Sequence, residues 1–529
     1  MKRFLSLHIY EVSIILVAVA IFTCTSNYFM DDSFITFVYS KNLLQFGQIS
    51  YNGIFVEGYS SFLHVLIGAL LLLPGETIFP IIVKVYSVFM MIAFLWFAGK
   101  IIKRISKSRL NAILGMFILA TSPILLFHFQ SGMETPLIYL VSLAIINELC
   151  LSSDRLVSEY LHRVFLLIFV GMLVRPEFAL FGVPLLLYLF FLKTEKRKGL
   201  LSGSHWGKIG IVLLLGIAYL VFKAVHFGSI FPNPYYVKNS IAPTGGHFFI
   251  AKLREFLVLN PIIYGLFIIL VFRVLRYWRW MLISGSVMIY LLPYFGTNFW
   301  QDHYFRYFSP LIPIFVVGFF SLVTRKRSGK EYFFVLITLS SVAFIFNMIV
   351  MPNMCLFTKF SGEKVQIRRE IGEKLSNLES GKILISCGDA GTIPFYSGYA
   401  NIDYYFLNSK KLTDNRIDSR MTYWGLNTDM LFSIDIDVFV LTSASRDSFE
   451  SGYGGNRGLS FEISRNIRFK EYKRIAVLDA STQYAPFRLK IGLRNYRVRQ
   501  NPYFYHIMVD QEKSDLVNEI ASRFSKLRY

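Results

Sequence analysis

Long apolar runs separated by short polar loops dominate the first two thirds of the chain. They fall near residues 8–30, 78–99, 110–129, 134–150, 164–174, 178–192, 209–226, 256–274, 281–298, 307–324 and 332–351. A helix needs about 20 apolar residues to cross about 30 Å of hydrocarbon, so the pattern predicts eleven membrane-spanning helices. One run is short. Residues 164–174 would make only about 16 Å of helix. The span therefore either starts earlier, around Leu156, or 164–192 forms a broken hairpin around Arg175-Pro176-Glu177. Past residue 352 the pattern changes. Short apolar runs such as "KILISC" and "DVFVLT" alternate with polar helical stretches such as "SGEKVQIRREIGEKLSNLES". This predicts a soluble α/β domain over 352–529, large enough to bury its own core, behind a polytopic α-helical membrane domain over 1–351.

Charge gives the expected sidedness. Lys100, Lys103, Arg104, Lys107 and Arg109 share one loop, and Lys193, Lys196, Arg197, Lys198 and Lys208 another. Arg273, Arg276 and Arg279 fill a third, and Arg325, Lys326, Arg327 and Lys330 a fourth. Placing all four in the cytoplasm satisfies the positive-inside rule. The N-terminus is then cytoplasmic, and the first run, which lacks a small-residue cleavage site, is expected to be a retained anchor. Residues 31–77, the loops near 130, 228–247 and 299–305, and everything beyond about 352 lie outside. These basic loops account for much of the formal charge of +21, so a nucleic-acid partner is not expected. Apolar residues make up 54% of the chain and aromatics 17%, including 52 Phe, which suits lipid-facing helices, interfacial belts and an apolar pocket. The four cysteines form no CxxC pair, and neither a disulfide framework nor a zinc site is indicated. "CGDAGTIPFYSG" lacks the GxxxxGK[ST] and GxGxxG patterns of nucleotide loops.

The first run ends in "FMDDSFITFVYSKNLLQFG". One of Asp31 and Asp32 could cap an interfacial helix whose Phe34, Ile35 and Val38 dip into the bilayer. A cap needs only one acid. Two at a membrane edge suggest a general base acting on a hydroxyl where a water-soluble group meets a lipid-held one. The other outer loops carry "FQSGMETP", "VRPEF", "FGSIFPNPYYVKN" and "FWQDHYFRYFSPLIP". Their Arg175, Lys238, His303 and Arg306 could together hold a phosphate. Singly, each reads as well as a snorkelling or headgroup contact.

In this order, "DDSFITFVYSKNLLQFG", "VEGYSSFLHVL", "SGMETPL", "VRPE", "FGSIFPNPYYVK", "HYFRYFSPLIPI" and "GDAGTIPFYSGYANID" resemble the type C membrane glycosyltransferases of bacteria. The relatives to compare are the terminal arabinofuranosyltransferases that use polyprenyl-phosphate arabinose. The likeness runs from about residue 28 to 403. It implies an enzyme of the bacterial cytoplasmic membrane. The donor would be a sugar on a polyprenyl phosphate, and the acceptor a hydroxyl of an extracytoplasmic glycan, lipid or protein. The acid after the first span would be the base, giving inversion. Asp32 is favoured for that role, with Asp31 orienting it or binding a cation. Membrane-surface helices would cover about 32–46 and 59–73, which keeps the apolar "SSFLHVLIGALLLLP" from crossing. Lys41 joins the donor-phosphate candidates, and Glu57, Tyr59, Glu134, Asn233 and Tyr235 the substrate contacts. A divalent cation (Mg, Mn or Ca) on the Asp pair and His303 stays open. Two departures stand out: Val174 before Arg175, and "NFWQDHYFRYF" in place of a Gly-Asp opening, which leaves the parts of Asp302 and His303 open.

Two rivals remain. A lipid-linked-sugar flippase predicts charges deep inside spans and symmetry between halves. Lys84 is the main charge inside a run, and no inverted repeat is evident. A non-catalytic assembly protein leaves the Asp pair without a task.

Overall fold

The computed structural model describes residues 2–24, 28–151, 157–184, 187, 203–240, 247–260, 278–295, 305–322, 330–415, 425–451, 456–484 and 499–525. The apolar runs form helices α1 (Lys2–Cys24), α4 (Phe79–Ser106), α5 (Arg109–Ala120), α6 (Pro123–Gln130), α7 (Thr135–Leu151) and α8 (Val157–Val174). Between the first two lie α2 (Asp31–Phe46) and α3 (Phe62–Leu72). Then follow α9 (Gly203–Phe227), α10 (Asn233–Ser240), α11 (His247–Leu259), α12 (Trp278–Phe295), α13 (Leu311–Leu322) and α14 (Lys330–Leu375). Among the described residues three helices are long and apolar enough to cross a membrane, or four if α5 and α6, bent by 62°, count as one span. About half of the expected run 178–192 and most of 256–274 fall outside the described residues. The short run at 164–174 belongs to an 18-residue helix that starts at Val157. It ends at Val174, because Pro176 holds Arg175 extended and opens a 3-10 turn over Pro176–Gly182.

α2 starts at Asp31 and stops at Gly47, whose left-handed φ of 67° lets its N–H reach back to the Leu43 carbonyl. Phe34, Ile35 and Val38 do not face outward. They are buried, and Phe34 packs on Phe395 and Tyr396 with ring centroids 5.3 and 5.8 Å away. The helix is covered on one side by α3, where Ser40 bonds the Val65 carbonyl, and on another by α15 (Thr392–Ser397).

α14 runs unbroken for 46 residues through Pro352, so the expected boundary at 351/352 falls inside a helix. Its far end, Ile371 and Leu375, packs into the core of a five-stranded sheet. The strands are β1 (Leu384–Cys387), β2 (Ala400–Ile402), β3 (Val438–Ser443), β4 (Tyr472–Asp479) and β7 (Phe504–Asp510), in the order β2-β1-β3-β7-β4. β5 (Thr482–Tyr484) and β6 (Arg499–Asn501) make a separate ribbon. β2, β1 and β3 are parallel, while β7 runs against both β3 and β4, with Val440 opposite Ile507.

This sheet layer is bolted to the segment between α1 and α4. Asn52 and Asn401 exchange hydrogen bonds of 2.6 and 2.8 Å, Tyr51 donates to the Ala390 carbonyl at 2.8 Å, and Tyr39 donates to Asn408 at 3.1 Å. Gly391 touches the backbone of Asp31 so closely that a Cβ there would lie 2.1 Å from the Asp31 carbonyl oxygen. Glycine is needed at 391 for that approach.

Candidate active site

A cavity of about 830 Å³ opens where the start of α2, the 133–134 turn, the end of α8, the end of α9, residues 230–235 and α14 meet the loop after β1. The first aspartates are held there by short local contacts. Met30 N–H bonds the Ser131 carbonyl at 2.9 Å, and Lys84 bonds the carbonyls of Tyr28 and Gln130 while sitting 3.9 Å from the Phe29 ring. The charge inside an apolar run therefore fastens the end of the first segment to the "SGMETP" turn. His64 adds a bond to Gly132 O at 2.9 Å.

On the membrane-bundle wall Glu134 is fully buried. Its Oε1 accepts from Arg175 Nε at 3.0 Å, Arg175 Nη2 at 2.7 Å and Arg306 Nη2 at 2.7 Å. Burial pushes the Glu134 carboxyl up, but Arg306 and Arg175 together outweigh it and hold it well below the usual carboxylate range. Arg175 spends its remaining donor, Nη1, on Glu177 at 3.1 Å and Tyr294 at 3.3 Å, so its guanidinium is committed to the protein. Arg306 is not. Its Nη1 lies 3.7 Å from Asp32, whose side chain is 39% exposed, and among the described residues its buried Nε has no hydrogen-bond partner. The buried Tyr28 hydroxyl also lacks one. Both side chains line the cavity.

The opposite wall is built from α14 and the loop after β1. Arg368 Nη2 pairs with Asp389 at 2.8 Å, and its Nε donates to Tyr505, which donates in turn to Asp389 at 3.0 Å. Asn456 adds a third bond to Asp389 at 2.7 Å. Asp31 belongs to this wall. It accepts from the Thr392 backbone at 3.0 Å and the Thr392 hydroxyl at 2.6 Å, with Arg368 at 3.7 Å. Burial raises the Asp31 pKa against the pull of Arg368. Lys364, one turn before Arg368, lies 3.5 Å over the Tyr503 ring.

Of the residues expected from sequence, Asp31, Asp32, Tyr59, Glu134, Arg175, Tyr235 and Arg306 line this one cavity. Glu57 lies behind it, paired at 2.9 Å with the lining Lys223. Burial pushes the Glu57 carboxyl up to about 7 although Lys223 opposes the shift. Two candidates are engaged elsewhere. Lys41 is paired with Glu76 at 2.8 Å and bonds the Phe395 carbonyl, and Asn233 clips the 228–233 loop to the carbonyls of Phe406 and Leu407. The side chain of Lys238 and all of Asp302 and His303 lie outside the described residues. Among the described residues no group of three or more His, Cys, Asp or Glu is arranged to hold a metal. Sequence reasoning missed Lys223, Lys364, Arg368 and Asp389. The spacing of Lys364 and Arg368, one turn apart, was a signal that they share a helix face.

The chain, a helical bundle roofed by a sheet layer over a shared cavity, has the same fold as two solved proteins, ArnT and an archaeal oligosaccharyltransferase. No protein-family model matches the chain, and no curated protein matches it in sequence. Among solved structures it is similar to ArnT from Cupriavidus metallidurans bound to undecaprenyl phosphate, with TM-score 0.57 and 10% identity over 94% of this chain and 98% of that one. The apo form of ArnT gives TM-score 0.56 at 10% identity over 97% and 98%. The Archaeoglobus fulgidus oligosaccharyltransferase, tethered with an acceptor peptide containing the NVT sequon, gives TM-score 0.52 at 11% identity over 82% and 69%.

Proposed function

We propose that the protein is an inverting glycosyltransferase that moves a pentose or hexose, arabinofuranose among the candidates, from a polyprenyl phosphate to a hydroxyl of an extracytoplasmic glycan, lipid or protein. It works in the bacterial cytoplasmic membrane, with its N-terminus in the cytoplasm and the sheet layer outside. One observation carries this reading: the half-exposed Asp32 carboxylate lies on the cavity wall 3.7 Å from a buried arginine with an open N–H. The bound lipid of ArnT and the tethered acceptor peptide of the oligosaccharyltransferase are in keeping with it.

In this mechanism Asp32 takes the acceptor proton as the hydroxyl oxygen attacks the anomeric carbon. The bond from that carbon to the phosphate oxygen breaks, and the polyprenyl phosphate leaves with the electron pair. Arg306 and Tyr28 donate to the charge that develops on the leaving phosphate. Arg175, with all three of its nitrogens bonded to protein groups, holds Glu134 and through it Arg306. Asp31 positions the sheet layer over the site through Thr392.

The flippase reading loses its motive at the two cations inside apolar helices. Lys84 sits five residues into α4, bonded to the carbonyls of Tyr28 and Gln130, and Lys223 lines the cavity four residues from the end of α9, so neither is mid-span. The test is purified protein in proteoliposomes supplied with a panel of polyprenyl-phosphate sugars and acceptor glycolipids. Transfer in the wild type and its loss in Asp32→Asn support the reading. Transfer that survives in Asp32→Asn removes the base.

A further inference from the structure

α9 is an apolar helix with most of its surface turned outward: Ile211, Leu214, Ile217, Val221 and Val225 are all exposed. On its opposite face, one turn from the end, stands Lys223. It is 1% exposed and lines the cavity. An ammonium in such a place is costly unless paired, and its partner is the equally buried Glu57 at 2.9 Å. The pair is close but poorly aligned. Neither Lys223 Nζ nor Glu57 Oε2 has a well-formed hydrogen bond in the protein. The hydroxyl of Tyr59, which is also buried and lines the cavity, has none either. Buried polar atoms are nearly always satisfied, so an ammonium with N–H groups beyond the one facing Glu57, beside a tyrosine hydroxyl with no partner among the described residues, calls for an explanation. Tyr219 lies beside them, 5.7 Å from the ammonium, and lines the same wall.

We propose that Lys223 and Tyr59 form the subsite that reads the hydroxyl groups of the donor sugar, with Glu57 as a positioning residue that fixes the ammonium. This rests on the glycosyltransferase reading and deepens it. Charge decides against the alternative that the patch binds the donor phosphate. Glu57 already neutralises Lys223, and a phosphate placed there would meet a carboxylate. Arg306 and Tyr28, beside Asp32, offer an open cationic donor instead. A neutral pair with spare N–H and O–H groups, flanked by the ring of Tyr219, suits a neutral polyhydroxylated ring. An ammonium can donate to two adjacent hydroxyl oxygens at once, and the tyrosine hydroxyl can donate or accept. A sugar lacking one of those hydroxyls would leave buried groups unmet, and that penalty is the source of strong discrimination.

The test measures binding, not turnover. Wild type, Lys223→Met and Tyr59→Phe in lipid nanodiscs are titrated with sugar-free undecaprenyl phosphate. They are then titrated with undecaprenyl phosphates carrying arabinofuranose, mannose or glucose, and dissociation constants are read by native mass spectrometry. The wild type is expected to bind one glycosylated lipid at least tenfold more tightly than the bare lipid. Lys223→Met should lose that preference, with the bare-lipid constant unchanged within twofold. Tyr59→Phe, which keeps the ring and its packing, should lose about threefold to tenfold of it. If Lys223→Met weakens bare and glycosylated lipids equally, the residue is a phosphate ligand and the proposal fails. It fails as well if the wild type shows no preference, or if both variants keep it. Should Lys223→Met misfold by stranding Glu57, the double variant Glu57→Gln/Lys223→Met and Tyr59→Phe give the same readout. Lost preference without transfer from any donor would sink the enzyme reading and leave this one standing, and the converse holds.

Discussion

The two walls of the cavity carry similar side chains and use them differently. On the sheet-layer wall Asp31 and Asp389 accept from Thr392, Arg368, Asn456 and Tyr505. On the bundle wall Glu134 absorbs Arg175 and half of Arg306, and Asp32 and the Arg306 Nε face the cavity. Asp31 and Asp32 are chain neighbours, yet successive helical residues point about 100° apart, and each falls to a different wall. A site's chemistry depends on which donors and acceptors the fold has not already spent.

The sharpest way to break this comparison is to remove the half-exposed Asp32 carboxylate. Asp32→Asn should lower transfer by about 10²- to 10⁴-fold, the range for loss of a general base, with expression, membrane insertion and bare-lipid binding unchanged. Initial rates in proteoliposomes check it. Rates within threefold of wild type would move the base elsewhere. Next comes the clamp. Glu134→Gln leaves two buried guanidiniums without their shared carboxylate, and breaking a buried ion pair typically costs about 3–5 kcal/mol. Thermal unfolding in detergent should show a large loss of stability, accompanied by loss of activity. A variant as stable as wild type would mean Glu177 and Asp32 alone suffice to balance the arginines.

The third test concerns the spent carboxylate. Asp31→Ala strands the Thr392 donors and loosens the contact between α2 and the sheet layer. A lost, partly buried hydrogen-bonded group should cost about 1–3 kcal/mol, and transfer per folded molecule should fall less than tenfold. Thr392→Val should give a similar loss of stability. If Asp31→Ala folded normally and was as inactive as Asp32→Asn, the two walls would not differ as described.

The bundle wall was legible because its residues announce themselves. Asp32, Glu134, Arg175 and Arg306 each stand at one edge of an apolar run near Gly, Pro or an aromatic, and spans crossing one bilayer must bring such edges to one level. The difference between Asp31 and Asp32 was not legible, because it is made by Thr392, 361 positions away. Lys223 escaped for a related reason. A single cation near the end of a long apolar helix reads as a snorkelling residue, and its carboxylate lies in a loop far earlier in the chain. "SGEKVQIRREIGEKL" has a narrow apolar stripe of Ile367, Ile371 and Leu375 among many charges, and packing of α14 against the sheet layer decides that Lys364 and Arg368, of all its charges, face the cavity. β1 and β3 coincide with "KILISC" and "DVFVLT". The insertion of β7 between β3 and β4 depends on long-range pairing that a local pattern does not carry.

Lys41 is the smallest test and a pointed one, because sequence put it with the donor-phosphate groups. Its ammonium is 2.8 Å from Glu76, a carboxylate 41% exposed to solvent, and also bonds the Phe395 carbonyl at 3.0 Å. It does not line the cavity among the described residues. A pair this open is screened by water and salt and contributes about 0–1 kcal/mol. Lys41→Met, which keeps the apolar stem against the Phe395 ring, should therefore leave bare-lipid binding and transfer within twofold of wild type. Stability should drop by no more than that small amount. If instead the variant bound undecaprenyl phosphate tenfold more weakly, Lys41 would have to leave Glu76 when the lipid arrives. The donor phosphate would then sit on the α2 side of the site, away from Arg306, and the division between the walls would have to be redrawn.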